Sequence, residues 1–330
     1  MRLPEFEHLE PESVEEACEQ LSRHAGESKV IAGGTDILAS MKQRVKTPKY
    51  LVDIKALSNL KRITFDEGEG LKIGALVTHR ELMTNGKVKE TYPVLADAAS
   101  VIGTPQLQAM GTIGGNLCLD TRCWFYNQSH WWRKAREACL KLGGNVCHVE
   151  DGGKCLAAYQ GDMASALIAL NASVRLLKKG GEKIIPLKDF YTGDGKVPNI
   201  LEDGEILTEV LVPVQAKKGG AHYEKLRLRN AIDFPMVGVA VNITLEDGTV
   251  CKGARVIINA LGPAPQEVIN VDDILGAKEM KDELVMEVAE AAYQEAEPAE
   301  TMPGSPEYRK EMVRVLVKKS FQKALERAGR

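Results

Sequence analysis

Two glycine pairs constrain this chain more than any other feature. In Lys29-Val30-Ile31-Ala32-Gly33-Gly34-Thr35-Asp36 a short apolar run leads into the first pair, and Ile37, Leu38 and Met41 open a helical stripe directly after it. In Gly111-Thr112-Ile113-Gly114-Gly115-Asn116-Leu117 the second pair follows another apolar-periodic stretch and reads as a second glycine-rich turn. Glycine lets a backbone approach a ligand closely and adopt positive φ. Successive free N–H groups then form a nest for a pyrophosphate, helped by the start of the following helix. Neither pair matches the GxGxxG or GxxxxGK[ST] patterns, and either one singly is equally an ordinary turn with a helix cap. Their joint presence carries the argument.

Around these turns the pattern alternates. A helix is expected over 12–24, with Ser13 as cap, Glu16 completing a capping box, Val14, Ala17, Cys18 and Leu21 as its apolar stripe and Gly26 at its end. Tyr50 to Ile54 reads as a strand, 61–75 as two strands joined at Gly68-Glu69-Gly70, and Thr78 to Leu82 as the start of a helix. Asp162 to Leu170 is again helical. Beyond 215 the chain turns strand-rich (223–229, 237–245, 250–260) and closes with two helices, about 278–296 and 306–327. Runs of strands followed by helices favour an α+β fold. The expected division is 1–215 and 216–330.

The formal net charge of −3, with basic and acidic residues interspersed, gives no footprint for nucleic acid or an anionic membrane. Met1-Arg2-Leu3-Pro4-Glu5-Phe6-Glu7 lacks the apolar core of a secretory signal, and no apolar run approaches the roughly 20 residues of a membrane span. The expectation is a cytoplasmic protein. There disulfides are unusual, so the crowding of five of the seven cysteines into 118–155 points to metal or redox chemistry.

Taken together, Ile31-Ala32-Gly33-Gly34-Thr35-Asp36 and Thr112-Ile113-Gly114-Gly115-Asn116-Leu117 resemble the two motifs of the flavin subunits of the molybdenum hydroxylases, the family of carbon monoxide and xanthine dehydrogenases. The likeness extends over nearly the whole chain. It includes Asp162 with its Ala-Leu-Ile-Ala-Leu helix, Lys225-Leu226-Arg227 with Asp233-Phe234, and Tyr308-Arg309. The resemblance implies a two-subdomain FAD-binding domain of the vanillyl-alcohol-oxidase/PCMH type followed by a C-terminal α+β flavoprotein domain. It implies that Val30, Ile31, Ala32, Gly33, Gly34, Thr35, Asp36 and Ile37 wrap the FAD pyrophosphate. Thr112, Ile113, Gly114, Gly115 and Asn116 would form the second loop. Asp162 would accept from sugar or ribityl hydroxyls and Lys225 would lie near the flavin. From the residues alone, Asp162 is equally a plain helix N-cap and Lys225 a solvated strand residue.

Asn116 and Asp162 lie 46 positions apart, against a short connection in the family pattern, so 118–160 reads as an insertion. It holds Cys123, Cys139, Cys147 and Cys155, with 15, 7 and 7 residues between them, and all three tryptophans. Four thiolates suit a [4Fe–4S] cluster or a structural zinc, or the cysteines are simply buried. The missing Cys-x₂₋₄-Cys knuckle and the aromatic shielding favour the cluster. Within the family the insertion resembles that of the 4-hydroxybenzoyl-CoA reductase β subunits, which implies Cys123, Cys139, Cys147 and Cys155 as ligands of a [4Fe–4S] cluster. Cys118 is the alternative to Cys123, while Cys18 and Cys251 read as core or edge residues. The resemblance further implies electrons entering at the cluster from a low-potential donor such as ferredoxin and passing through FAD. They would continue to a [2Fe–2S] small subunit and a molybdopterin-binding large subunit, in a dimer of heterotrimers. The other reading is a flavin subunit carrying electrons outward from molybdenum.

Overall fold

A computed structural model describes residues 2–329. Among them the strands gather into three sheets. The first is parallel and small: β1 (Glu7–Leu9), α1 (Val14–Arg23), β2 (Ser28–Ile31), α2 (Ile37–Lys42) and β3 (Tyr50–Asp53) alternate, and β3 lies between β1 and β2. The stripe Val14, Ala17, Cys18 and Leu21 is buried against Val52, Ile54 and Leu57, and Ile31, Met41 and Leu51 form a separate small core. Ser13 caps α1 as expected, accepting from the Glu16 N–H. The capping box is displaced by one residue, since the Glu16 carboxylate accepts from Glu12.

The second sheet is antiparallel, in the order β4-β5-β8-β6-β7. β4 (Ile63–Asp66) and β5 (Gly70–Gly74) are followed by α3 (His79–Thr84), α4 (Gly86–Thr91), α5 (Pro93–Ser100), α6 (Pro105–Met110), α7 (Ile113–Leu117), α8 (His130–Lys134) and α9 (Asp162–Ala169) before the chain returns. Residues 173–212, to which the sequence reading assigns no element, form β6 (Ser173–Lys178), β7 (Gly181–Pro186) and β8 (Ile206–Val212).

The third sheet is antiparallel, β12-β11-β10-β9. It comprises β9 (Gly219–Leu226), β10 (Val237–Glu246), β11 (Val250–Asn259) and the short β12 (Gln266–Glu267), with α10 (Val271–Leu275), α11 (Asp282–Glu295) and α12 (Pro306–Ala328) after it. Val239, Val241 and Val256 meet Val288, Val313, Val317 and Phe321 in one core. The opposite face contributes Ala221, Tyr223, Ala240 and Ile257 to a second core with Met163, Ala164 and Leu167 of α9. Every residue of α9 is buried, which explains why it is apolar on all sides. The mixed α+β reading holds. No helix among the described residues is long and apolar enough to cross a membrane.

Phe321 is fully buried where α12 meets the third sheet. Phe321→Ala is expected to lower stability by roughly 3–5 kcal/mol through lost burial and a residual cavity, measured by urea unfolding.

Candidate cofactor sites

The two glycine motifs, about 80 residues apart in sequence, touch. A Cβ on Gly33 would lie 1.8 Å from the Met110 carbonyl oxygen, so only glycine permits this approach. Gly34 has φ +72°. The backbone N–H groups of Gly33, Gly34, Thr35, Asp36 and Ile37 have no acceptor among the described residues, whereas hydrogen bonding along α2 begins with Leu38 donating to Gly34. A strand, a glycine pair and a row of unused amides form the cradle that an anionic pyrophosphate requires, and these residues fit FAD. Val30 and Ile31 supply the end of β2, and Ile37 opens α2. Asp36 stands at the cap position without capping; its carboxylate takes a hydrogen bond from Nη2 of Arg122 instead.

The second motif differs from the turn expected. It begins α7: Thr112 is the N-cap, its Oγ1 accepting from the Gly115 N–H at 3.2 Å. Gly114 lets that helix lie on the end of β5, since a Cβ there would meet the Ala75 Cβ at 2.8 Å. Asn116 Oδ1 accepts from the Met163 N–H at 3.1 Å and so ties α7 to α9. The side chains of Thr112 and Asn116 are thus engaged inside the protein.

Asp162 is the first residue of α9, behind the cap residue Gly161, so its carboxylate does not cap the helix. One oxygen accepts from Tyr223 Oη at 2.7 Å and the other from Lys225 Nζ at 3.0 Å. Lys225 is buried, not solvated, and also donates to the Val101 carbonyl at 3.0 Å. Burial pushes the Asp162 carboxyl above the usual range, with Lys225 and Tyr223 pulling the other way. Tyr223 is the member that sequence reading missed. It stands two residues before Lys225 on β9, and alternation along a strand puts both on one face.

Cys123, Cys139, Cys147 and Cys155 converge on one cavity enclosing about 310 Å³, part of it open to solvent. Phe125, Tyr126, Lys141 and His148 line it with them. Cys118 is not among the lining residues; it is packed against the core of the second sheet, where burial pushes its thiol up to about 12. All seven cysteines are free. Burial raises the Cys123 thiol to about 11 and also raises Cys155, and both are held up further by neighbouring thiols of the cavity. Cys18 donates to the Leu177 carbonyl at 3.4 Å and Cys251 is buried in β11, as core residues. Behind the cavity the buried Lys141 Nζ reaches Asp120 Oδ1 at 2.7 Å and the Gly195 carbonyl at 2.6 Å, and Lys46 Nζ lies 3.0 Å from the other Asp120 oxygen. Burial pulls Lys141 down; on Lys46 it is outweighed by Asp120.

The insertion is fastened at several points. Arg122 and Ala158 exchange two backbone hydrogen bonds of 2.7 Å. Arg133 Nη2 donates to the Arg44 carbonyl at 2.7 Å, and Trp124 donates through its backbone N–H to Thr301 at 2.9 Å and through Nε1 to Glu300 at 2.8 Å.

Lys225→Met leaves the Asp162 carboxylate buried without its counter-charge and is expected to destabilise the protein by roughly 3–5 kcal/mol at pH 8. Loss of the lysine moves the folded-state pKa of Asp162 further above its unfolded value. The penalty is therefore full above the folded pKa and fades as pH falls towards the unfolded one. Urea unfolding at pH 8 and pH 5 should give the smaller loss at pH 5.

Residues 4–215 match the family of the FAD binding domain in molybdopterin dehydrogenase, and residues 221–324 match the CO dehydrogenase flavoprotein C-terminal domain. The chain is 29% identical over 328 residues to the 6-hydroxypseudooxynicotine dehydrogenase complex subunit alpha of Paenarthrobacter nicotinovorans, covering 99% of this chain and 97% of that one. It is 35% identical over 272 residues to the aldehyde oxidoreductase FAD-binding subunit PaoB of Escherichia coli, covering 78% and 82%. A solved structure of carbon monoxide dehydrogenase from Hydrogenophaga pseudoflava superposes with a TM-score of 0.82 at 28% identity, covering 99% of both chains. With the two glycine motifs in contact and the whole length matched, this chain belongs to the FAD-binding subunits of the molybdenum hydroxylase family.

Proposed function

We propose that this chain is the electron-transfer subunit, carrying FAD and a [4Fe–4S] cluster, of a molybdenum enzyme that reductively dehydroxylates 4-hydroxybenzoyl-CoA to benzoyl-CoA. The family match speaks for FAD. The cluster rests on one observation, the convergence of Cys123, Cys139, Cys147 and Cys155 on a single cavity. The donor set fits: four soft thiols under aromatic cover, with Lys141 behind them. A mononuclear zinc needs its thiolates about 2.3 Å from one point. Among the described residues no three His, Cys, Asp or Glu side chains are gathered closely enough to hold one ion, which speaks against a preformed mononuclear site.

In this reading the amides of 33–37 hold the FAD pyrophosphate, and Thr112 to Asn116 set the second wall by fixing α7 against α9. The buried Asp162 with Tyr223 and Lys225 holds α9 and β9 together beside the flavin. When bound, FAD supplies one- and two-electron exchange and the cluster one-electron exchange, so a subunit with both serves as a relay. Phe125 and Tyr126 line the cysteine cavity, and Cys123, Cys139, Cys147 and Cys155 would hold the metal as thiolates, in place of their protons. Substrate chemistry belongs to a molybdopterin-binding large subunit, reached through a [2Fe–2S] small subunit, in a dimer of heterotrimers fed by a donor such as ferredoxin.

The named relatives favour a second reading at the level of the complex. Carbon monoxide dehydrogenase, xanthine dehydrogenase and aldehyde oxidoreductase subunits all match. In a complex of that type the flavin subunit passes electrons from the molybdenum site to an acceptor, and the cysteine insertion is structural.

An anaerobic count of iron, zinc and flavin, with EPR after reduction, separates the two. The relay requires about four irons and one FAD per chain and a reduced-cluster signal. Cys139→Ser should remove the iron and leave FAD bound. Zinc or no metal in the unaltered protein overturns the cluster and leaves the second reading.

A further inference from the structure

Arg122 stands at the entrance of the insertion, immediately before Cys123, and its backbone pairs with Ala158 to close the insertion's base. Its side chain leaves the insertion. Nη2 donates to Asp36 Oδ1 in the first glycine motif, and the guanidinium lies 4.8 Å from the ring of Phe234, just before β10. The group is largely buried, at 18% exposure, and its Nε has no acceptor. Its partner Asp36 belongs to the run Gly33 to Ile37, whose amides have no acceptor among the described residues. Nothing in the first motif cancels the charge of Asp36 except this guanidinium. A pyrophosphate on those amides would place two negative charges next to a carboxylate, and the repulsion must be offset by a cation within a few ångströms. A guanidinium lying over an aromatic ring can still donate through its Nη groups to phosphate oxygens.

We propose that Arg122 is a phosphate-binding residue of the flavin site supplied by the insertion: it neutralises Asp36 and donates its remaining Nη N–H groups to the FAD pyrophosphate. The proposal rests on the FAD assignment and is independent of what the cysteines hold. It makes flavin affinity depend on the fold of the insertion, which the glycine motifs alone would not do.

The test uses the full chain stripped of flavin and titrated with FAD and, separately, with riboflavin, which lacks phosphate; flavin fluorescence reports binding. Failure of the unaltered protein to bind FAD overturns the flavin assignment and this proposal together. If it binds, Arg122→Gln should weaken FAD about 10- to 100-fold, the effect of losing hydrogen bonds to a charged group. Riboflavin affinity should not change, and the salt dependence of FAD binding should flatten. Arg122→Lys, which keeps the charge but not the fork, should fall between. FAD affinity unchanged in Arg122→Gln, or FAD and riboflavin weakened alike, overturns the proposal. Asp36→Asn provides the check if Arg122→Gln fails to fold. It removes the competing carboxylate and leaves the guanidinium, so FAD should bind at least as tightly as to the unaltered protein. A loss there would mean that the Asp36–Arg122 pair is only a structural clasp.

Discussion

The missing side chain at residue 33 is the constraint from which the proposed flavin site follows. Because Gly33 has no Cβ, the loop after β2 lies directly on the Met110 carbonyl, and the small parallel sheet meets the helical region that precedes α7. That contact brings a row of unpaired amides up to the second motif and leaves them without protein acceptors. Buried or half-buried N–H groups without partners are costly, so a loop of this kind is stable when an anionic ligand occupies it. The same approach sets where Asp36 points, and with it the position of Arg122 at the root of the cysteine insertion.

The second site has the opposite character. Burial drives the Cys123 and Cys155 thiols towards the protonated form, while two ammonium groups share a single carboxylate nearby. Lys46 and Lys141 share Asp120, and of the two Lys141 lines the cavity with the cysteines. A nearby cation favours thiolate. Burial and the charge of Lys141 therefore oppose each other at Cys155.

Much of this was readable from the sequence, for reasons that are local. The stripe Val14, Ala17, Cys18, Leu21 obeys helical spacing and is buried, and the three long strands of the third sheet alternate or run apolar as they should. The glycine pairs declared themselves because backbone geometry needs them there. What escaped is non-local. Residues 173–212 carry charges on their exposed alternate positions, which masks the local hairpin of β6 and β7, and β8 joins the sheet through β5, more than a hundred residues earlier. Thr112-Ile113-Gly114-Gly115-Asn116 looked like a turn because glycine disfavours helix, yet the Thr112 cap and the close packing on Ala75 outweigh that preference. Lys225 read as a surface residue because a lone strand cannot tell which face is covered; its burial depends on Asp162, 63 positions earlier. Arg122 had no local signature at all.

The fastening of Trp124 bears on how such a chain is made. Its backbone and indole N–H groups are both held by carbonyls at residues 300 and 301, so the segment beside Cys123 is fixed by the far end of the polypeptide. Contacts of such long sequence separation form late, after the loop between them has been closed by other structure. During synthesis, which proceeds from the N-terminus, the first sheet and its glycine cradle can fold while the C-terminal strands are still unmade. The cysteine cavity cannot reach its final shape until they have docked. The glycine turn of the first sheet can thus take shape early, and the thiol cavity only on a nearly finished protein.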